Sequence, residues 1–370
     1  MPDHNEAVLQ RHNPSGMEIA VFAHSGLGHN GNPPSYTINH DVTLVAQAGP
    51  VDETRLKEIF KLVNDHLHGV PDIRTSKEHN LKALLKDGPD FMHSGSTALL
   101  AIVQNNTIIT ANLGDCRATL VVREPEDPVL GKVGILRHFQ KARQHWGERI
   151  TAHMLTEDQN INNPTENARV QSLGASVFRG YFVQLSDDMN AINATQGIKI
   201  SGCLGNHYLD DMAWLRREPV VKTFDLSSLN LRPGSEVFLV IESDGCHRDH
   251  SPEVRGRELE RSVARYAQES ATHKMALMLG EDAINDIKNS DNTTVMVARV
   301  QRSGRALSSE PVLLGVFDGN GEQGHAVAAT TRDLFKEHLA VPAPDVNPEI
   351  IIDHSTKPAS HAAPEIGGVA

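Results

Sequence analysis

The chain has 370 residues, which is enough to bury the core of one large domain or of two ordinary ones. Hydrophobic residues make up 39% and charged residues 22%, a composition typical of soluble globular proteins. The formal net charge of −12 argues against nucleic acid as the main partner and fits a site in which carboxylates surround cations.

The first sixty residues predict a tail, two strands and a helix. Residues 1–16 are polar and predict a flexible N-terminal tail. Met17–Phe22 and Val42–Ala46 read as strands, joined by a loop rich in Gly, Asn and Pro. Asp52 is a plausible cap for a helix that begins near Glu53. One face of this helix carries the apolar residues Leu56, Ile59, Phe60, Val63 and Leu67.

Two apolar segments and a predicted insertion follow. His93–Val103 and Asn106–Val122 predict strands, with a tight turn at Gly114-Asp115. Residues 123–150 have the pattern of an insertion, and Ile135–Trp146 predicts a basic amphipathic helix within it. Packing of this helix against its own domain is favoured over docking to a partner, because apolar stripes are usually core. Docking through this helix stays open.

Helices and strands alternate through the next part of the chain. Asn163 as N-cap, Pro164 at the first position, Glu166 at the third and Gly174 as C-cap predict a further helix. We expect strands around Ser176–Gln184, Ile198–Ser201 and Val237–Glu242, helices from Pro252 and over Ala271–Lys288, and a strand after Asp291. Residues 341–370 are rich in Pro, Ala and His without periodicity and predict a disordered tail.

The most informative stretch is Pro311–Phe335. It begins with a short apolar run, which predicts a strand buried on both faces. The run ends on Asp318, and Gly319-Asn320-Gly321 predicts a tight turn before a helix. A carboxylate at the end of a rigid strand suits a hard cation.

Four aspartates share this placement at strand ends or turns, namely Asp115, Asp244, Asp291 and Asp318. Carboxylates gathered in one place repel one another unless cations neutralise them. The pattern therefore fits a Mg²⁺ or Mn²⁺ site with oxygen ligands, although four unrelated turn residues would give the same spacing.

Several strings decide between these readings: GSTALLAIV, ANLGDCRATLV, LTEDQNINNPTENARVQSLGASV, REPVVKTFDL, VFLVIESDG, NSDNTTVMV and GVFDGNGEQGHAVA. Together they resemble the motifs of the metal-dependent (PPM, type 2C) serine/threonine protein phosphatases. The resemblance covers roughly residues 17–339. It implies an α+β fold, in which a central sandwich of two antiparallel β-sheets is flanked by α-helices and holds two metal ions at one end.

The resemblance also implies roles for individual residues. Asp318 would bridge two Mg²⁺ or Mn²⁺ ions and the Gly319 carbonyl would bind the second ion. Asp244 and Asp291 would bind the first ion, and Asp115 would help to hold a weaker third. Such ions activate a water molecule for attack on phosphorus and neutralise the phosphate oxygens.

The sequence departs from the family in the order of its motifs. The strand-DGxG-helix unit normally precedes the GSTA strand, whereas here it follows the final strand and is transposed to the C-terminal side. Such a move preserves a packed structure, because neighbours in a sheet need not be neighbours in sequence. We expect Pro311–Leu339 to pair inside the same sandwich.

Catalytic positions also differ from the family. The loosely matched first motif offers His29 or Asn30 in place of the phosphate-binding arginine, and His40-Asp41 in place of a Glu-Asp pair, so the glutamate for the second metal is missing. The candidate catalytic positions are thus Asp41 and Asn320, although Asn320 replaces a histidine proposed as general acid and cannot donate a proton usefully.

The segment SGCLGN, residues 201–206, also departs from the family. Gly202 and Asn206 stand where the family has an arginine and an aspartate.

Two functions remain open. One is a metal-dependent phosphatase acting on phosphoserine and phosphothreonine in protein substrates, and the other is a pseudophosphatase that binds a protein partner. A histidine-based metallohydrolase is less favoured, because His247–His250 (HRDH) lacks helical ligand spacing. We expect one catalytic domain over residues 17–340.

The sequence also bears on the compartment. Three scattered cysteines do not form a disulfide framework or a zinc site, which indicates a reducing compartment. No signal-peptide h-region is present, and no apolar run approaches the ~18 residues of a membrane span. These features predict a cytoplasmic protein, with export by a route independent of a signal peptide left open.

Overall fold

The structure is a computed structural model, and it describes residues 8–12, 17–24, 41–69, 92–125, 149–184, 197–247, 251–266, 272–287, 291–301, 310–321, 323–341 and 349–351. In chain order the strands are β1 Val8–His12, β2 Ile19–His24, β3 Asp41–Gln47, β4 Gly95–Ser96, β5 Ala98–Gln104, β6 Thr107–Leu113, β7 Arg117–Glu124, β8 Arg149–Met154, β9 Ala175–Phe178, β10 Tyr181–Gln184, β11 Leu204–Gly205, β12 Val220–Asp225, β13 Glu236–Glu242, β14 Thr293–Gln301, β15 Val312–Asn320 and β16 Glu349–Ile351. The helices are α1 Glu53–Gly69, α2 Pro164–Ser172, α3 Pro252–Tyr266, α4 Thr272–Ile287 and α5 Gly324–Leu339.

Two antiparallel sheets form the centre of the fold. The first has the strand order β16-β1-β2-β14-β13-β7-β8. In the second, β15 lies between β3 and β5, β5 pairs with β6, and β6 pairs with β12. The short strands β4 and β11 extend this sheet beside the end of β15. The predicted α+β sandwich is confirmed.

Alternate side chains of β15 point to opposite faces of the sheet and pack into two different cores. Val312, Leu314 and Val316 belong to the core between the two sheets. Leu313 and Phe317 point the other way, into a second core that α1 and α5 complete. Both faces are buried, as the continuous apolar run predicts.

The helices cover the outer faces of the sheets. The predicted apolar stripe of α1 is fully buried against the second sheet, together with one face of α5. Phe335 of α5 contacts Phe60 and Phe317, with ring centroids 4.6 and 5.8 Å apart. Helices α3 and α4 bury Leu259 and Leu279 against the first sheet. The layers are therefore helix, sheet, sheet, helix.

Predicted helix ends agree with the structure in detail. Asp52 Oδ1 accepts a hydrogen bond from Arg55 N at 2.8 Å, as expected of an N-cap. Asn163 caps α2 by accepting from the backbone N–H groups of Thr165 and Glu166. The C-cap of α2 is Leu173, and Gly174 follows it with a φ of +97°. The predicted C-cap was thus wrong by one residue, because glycine supplies the left-handed residue after the cap.

Four further expectations need correction. Val8–His12 is not tail but pairs with β2, and Glu349–Ile351 pairs with β1, because an uncovered sheet edge offers unpaired N–H and C=O groups. The 198–201 segment forms only isolated bridges, one of which is Phe182 to Ile198. Strand β15 extends through Asn320, since Gly319 and Asn320 pair with β4.

Pro311–Leu339 is part of the sandwich, as predicted. The proposed basic helix at 135–146 and most of the C-terminal segment lie outside the described residues. None of the helices described here combines the length and apolar character that a membrane crossing requires.

Candidate metal centre

Strands of both sheets end at one edge of the sandwich, and each end carries an aspartate. Asp318 is near the end of β15 and pairs directly with Asp41, the first residue of β3. Asp244 follows β13 in a short 3-10 turn, and Asp291 comes just before β14. Asp115 lies in the turn between β6 and β7. The antiparallel order of the sheets therefore gathers all five at this edge.

Electrostatic repulsion links these carboxyl groups. Burial raises the pKa of Asp318 well above its usual range, and the charges of Asp244, Asp41 and Asp291 raise it further. Burial likewise raises the pKa of Asp244 well above its usual range, with added repulsion from Asp115, Asp291 and Asp41. Asp318 and Asp244 thus each lie within electrostatic reach of the other aspartates of the cluster. A cation placed among them would relieve this repulsion.

Asp41 is held by hydrogen bonds at the base of the cluster. Ser243 Oγ donates to Asp41 Oδ2 at 2.7 Å and accepts from the backbone N–H of Thr294 at 3.0 Å. Burial raises the pKa of Asp41 to about 6, against the opposing effect of hydrogen bonds from Ser243 and Thr294 and with added repulsion from Asp291. Asp41 is therefore part of the aspartate cluster and lies beside Asp318.

Asp115 has a different set of neighbours. Asn160 Nδ2 donates to Asp115 Oδ2 at 3.1 Å. Arg117 pairs through Nε and Nη2 with Asp158 at 2.9 and 2.5 Å, and this ion pair is buried. Burial raises the pKa of Asp115 to about 6, and Asp158 adds to the rise while Asn160 and Arg117 oppose it.

The backbone that carries Asp318 is fixed by its neighbours. Asp318 N donates to Thr97 Oγ1 at 3.1 Å, and Thr97 N donates to Asp318 O at 2.9 Å. A Cβ built on Gly319 would lie 2.3 Å from the backbone of Gly324. Glycine at 319 therefore allows the start of α5 to lie against the strand that presents Asp318.

Asn320 lies next to the cluster and contacts a second asparagine. Asn206 Nδ2 donates to Asn320 Oδ1 at 2.7 Å. The other polar atom of Asn320, Nδ2, is buried without a hydrogen-bond partner among the described residues. Neither amide has a proton that it can transfer near neutral pH, so this pair supplies no general acid.

The chain has little room for an arginine at position 202. A Cβ on Gly202 would lie 2.0 Å from Gln159 Oε1. Gln159 is held in place, because Oε1 accepts from Gly114 N at 3.0 Å and Nε2 donates to Asn112 O at 2.9 Å. Any side chain at position 202 would therefore have to displace Gln159 Oε1 from its hydrogen bond with Gly114 N.

The donor set fits hard divalent ions. It consists of carboxylate oxygens, which Mg²⁺ and Mn²⁺ prefer as ligands. A bound divalent ion would also neutralise the repulsion between these carboxylates. The structure brings together all the predicted ligands, namely Asp115, Asp244, Asp291, Asp318 and Gly319, with both predicted catalytic residues, Asp41 and Asn320. His29, Asn30 and His40 lie outside the described residues.

Sequence reasoning missed the residues that support the aspartates. Ser243 and Thr97 stand inside strings that were recognised, but neither carries a charge or a spacing that marks it. Asn160 contacts Asp115 and Asp158 pairs with Arg117, and both lie in the string LTEDQNINNPTENARVQSLGASV, in which only the helix-cap residues had a predicted role. Contacts of this kind join residues far apart in sequence, so local patterns do not reveal them.

Comparison with known proteins gives consistent matches. The model of a protein family described as protein phosphatase 2C matches residues 13–248. This range excludes β15 and α5. A Dictyostelium discoideum protein named as a protein phosphatase is 27% identical over 147 residues, which are 40% of this chain and 13% of that protein. An Oryza sativa subsp. japonica protein named as protein phosphatase 2C 12 is 29% identical over 162 residues, which are 44% of this chain and 34% of that protein. The match thus spans about a third or less of each relative.

A solved structure also resembles the chain. The crystal structure of a serine-threonine phosphatase 2C from Toxoplasma gondii aligns with 76% of this chain and 94% of its own, at 16% identity and a TM-score of 0.42.

Proposed function

The chain belongs to the protein phosphatase 2C family, and from that premise we propose that it hydrolyses phosphoserine and phosphothreonine in protein substrates with the help of divalent ions held by its aspartate cluster. The observation that carries this proposal is the convergence of aspartates at one edge of the sandwich, where Asp318 pairs with Asp41 and Ser243 links Asp41 to the end of β13. A fold that gathered these charges without a cation would lose stability at neutral pH.

The roles of individual residues are part of the proposal. Asp318 is the central ligand of this proposal. It pairs with Asp41 in the sheet, and the charges of Asp244, Asp291 and Asp115 raise its pKa. Asp244 and Asp291 would hold one ion, the Gly319 carbonyl would help to hold the other, and Asp115 would serve a weaker site. We assign Asp41 to the same ligand set, since it faces Asp318 and Ser243 rather than a separate acid or base.

Bound Mg²⁺ or Mn²⁺ would supply positive charge that activates water and neutralises the phosphate. The chain's own residues hold this arrangement. Ser243 fixes one carboxylate oxygen of Asp41, and Thr97 fixes the backbone of Asp318. Asn320 accepts a hydrogen bond from Asn206 beside the cluster, and its amide cannot protonate a leaving alkoxide. Position 320 thus lacks the proton donor that the family resemblance places there, which predicts a slow enzyme.

A second function, phosphoprotein binding without turnover, is favoured by one observation. The Asn206–Asn320 pair stands where a proton donor is needed, and position 202 is a glycine, which offers no side chain to a phosphate. A pseudophosphatase would keep the fold and bind its partner equally well with or without metal.

The deciding experiment measures phosphate release from a phosphothreonine peptide at saturating Mn²⁺. We expect slow turnover that requires Mn²⁺ and is abolished in Asp318→Asn. The matched control is Asp65→Asn, which changes an exposed aspartate on α1 and should leave the rate unchanged. Turnover in the wild-type chain that does not exceed that of Asp318→Asn would overturn the phosphatase proposal and favour the pseudophosphatase.

A further inference from the structure

Two histidines and an aspartate form a second cluster of metal-ligand type, apart from the aspartate cluster. His68 lies in the last turn of α1, whereas His207 and Asp210 lie in and just after a 3-10 turn. One ligand atom from each residue lies within 4.8 Å of the other two. Leu67 and Leu204 share a hydrophobic core, which holds the end of α1 against this part of the chain.

The distances within this cluster suit a small tetrahedral ion. Asp210 Oδ2 lies 3.0 Å from His207 Nδ1 and 3.5 Å from His68 Nε2. The two imidazole rings meet edge to face, with centroids 4.8 Å apart. A zinc ion bound at ~2.0–2.1 Å to nitrogen and oxygen places neighbouring ligands about 3.3 Å apart. The two measured separations lie on either side of that value.

Burial differs across the cluster in a way that suits a binding site. The His207 side chain is only 3% exposed, and its Nε2 is buried without a hydrogen-bond partner among the described residues. His68 is 66% exposed, so the opposite side is open to solvent. The ion would bind His207 through Nδ1, which faces Asp210, so Nε2 on the far side of the ring is not one of its ligands.

Arg217 orients the carboxylate without covering the oxygen that faces the histidines. Its Nη2 contacts Asp210 Oδ1 at 2.5 Å. The same guanidinium also donates to the carbonyl oxygens of Cys203 and Asn206, at 2.8 and 3.2 Å. This network fixes Asp210 with Oδ2 toward the two rings, as outer hydrogen bonds do around metal ligands.

We propose that His68, His207 and Asp210 bind a divalent transition-metal ion such as Zn²⁺. Imidazole nitrogens favour Zn²⁺ over Mg²⁺ and Mn²⁺, so this site and the aspartate cluster would select different ions. His207 directly follows Asn206, whose side chain contacts Asn320 at the candidate metal centre. A bound ion would therefore tie the end of α1 to the loop that carries Asn206.

The test is a calorimetric Zn²⁺ titration of the full chain after chelator treatment, in the presence of millimolar Mg²⁺ to occupy the aspartate cluster. We expect one Zn²⁺ equivalent to bind, and His68→Ala to weaken its affinity by at least about 10–100-fold, since even outer-shell changes cost that much. His68 is exposed, so its loss should leave the fold intact. His66→Ala, an exposed histidine on the same helix, is the matched control and should bind like the wild type.

The proposal fails if the wild-type chain binds no Zn²⁺ under these conditions, or if His68→Ala binds it as tightly as the wild type. A second variant, His207→Gln, should lose binding as well, and equal affinity there would also overturn the proposal. Binding is measured without turnover, and we expect Asp318→Asn to retain it. Failure of this site is thus distinguishable from failure of the phosphatase proposal.

Discussion

Replacing Asp41 by asparagine should stabilise the metal-free protein at neutral pH. Burial and neighbouring charge raise the pKa of Asp41 from 3.8 to about 6. A rise of that size corresponds to about 3 kcal/mol of unfolding free energy. Asparagine has no charge to lose, and its carbonyl oxygen can still accept the hydrogen bond from Ser243.

The sign of the effect follows from proton binding in the two states. Between pH 3.8 and about 6 the folded chain keeps the proton of Asp41, whereas the unfolded chain releases it. The free energy of unfolding of the wild type therefore falls as pH rises through this window, and the full cost is present above about pH 6. The free energy of unfolding of the asparagine variant does not fall in this way, because asparagine does not ionise. Its advantage should vanish as the pH approaches 3.8.

The assay is urea unfolding of both proteins in EDTA, at about pH 4.5 and about pH 7.5. We expect the variant to gain about 3 kcal/mol at the higher pH and about 1 kcal/mol at the lower. Added Mg²⁺ should reduce the difference at high pH, because ions that bind only the folded wild type stabilise it. The reasoning is refuted if Asp41→Asn is no more stable than the wild type at about pH 7.5, or if the exposed control Asp65→Asn gains as much.

Three further predictions concern metal binding, the sheet and the rate. Calorimetry should show that Asp318→Asn abolishes Mn²⁺ binding while Asp115→Asn weakens only part of it, and equal losses would contradict the central place of Asp318. Deleting residues 311–340 removes a strand paired on both sides, so thermal scans should lose their cooperative transition; an unchanged melting curve would show that the segment is dispensable. Asn320→His should raise phosphopeptide turnover by up to about 10²-fold, because histidine can donate a proton to the leaving group. An unchanged rate would show that position 320 does not supply this proton.

Local patterns predicted the elements of the fold well. The stripe of α1 and the caps Asp52 and Asn163 depend on neighbours three or four residues away, so the sequence contains everything that they need. The position of β15 in the sheet followed from a family resemblance rather than from periodicity. Edge pairing of Val8–His12 was missed, because a short polar segment has no pattern of its own and gains structure only from the strand beside it.

Some residues of the candidate site could likewise be predicted from the sequence, and others could not. Asp318 and Asp244 could be identified because each ends a buried apolar strand. Asp41 was grouped with catalytic positions, although its contacts place it among the aspartates, and only the pairing of β3 with β15 shows this. Ser243 was missed because its partner is 202 residues away in sequence, a distance over which no local signal acts.

The central place of β15 has a consequence for how the chain acquires its fold during synthesis. Val103 of β5 and Gln47 of β3 both pair with Val312, so these two strands leave the ribosome long before the strand that joins them. At about 5–20 residues per second, the delay is on the order of ten seconds or more. During that time β3 and β5 present unpaired apolar edges, the surface on which nascent chains aggregate and which chaperones cover.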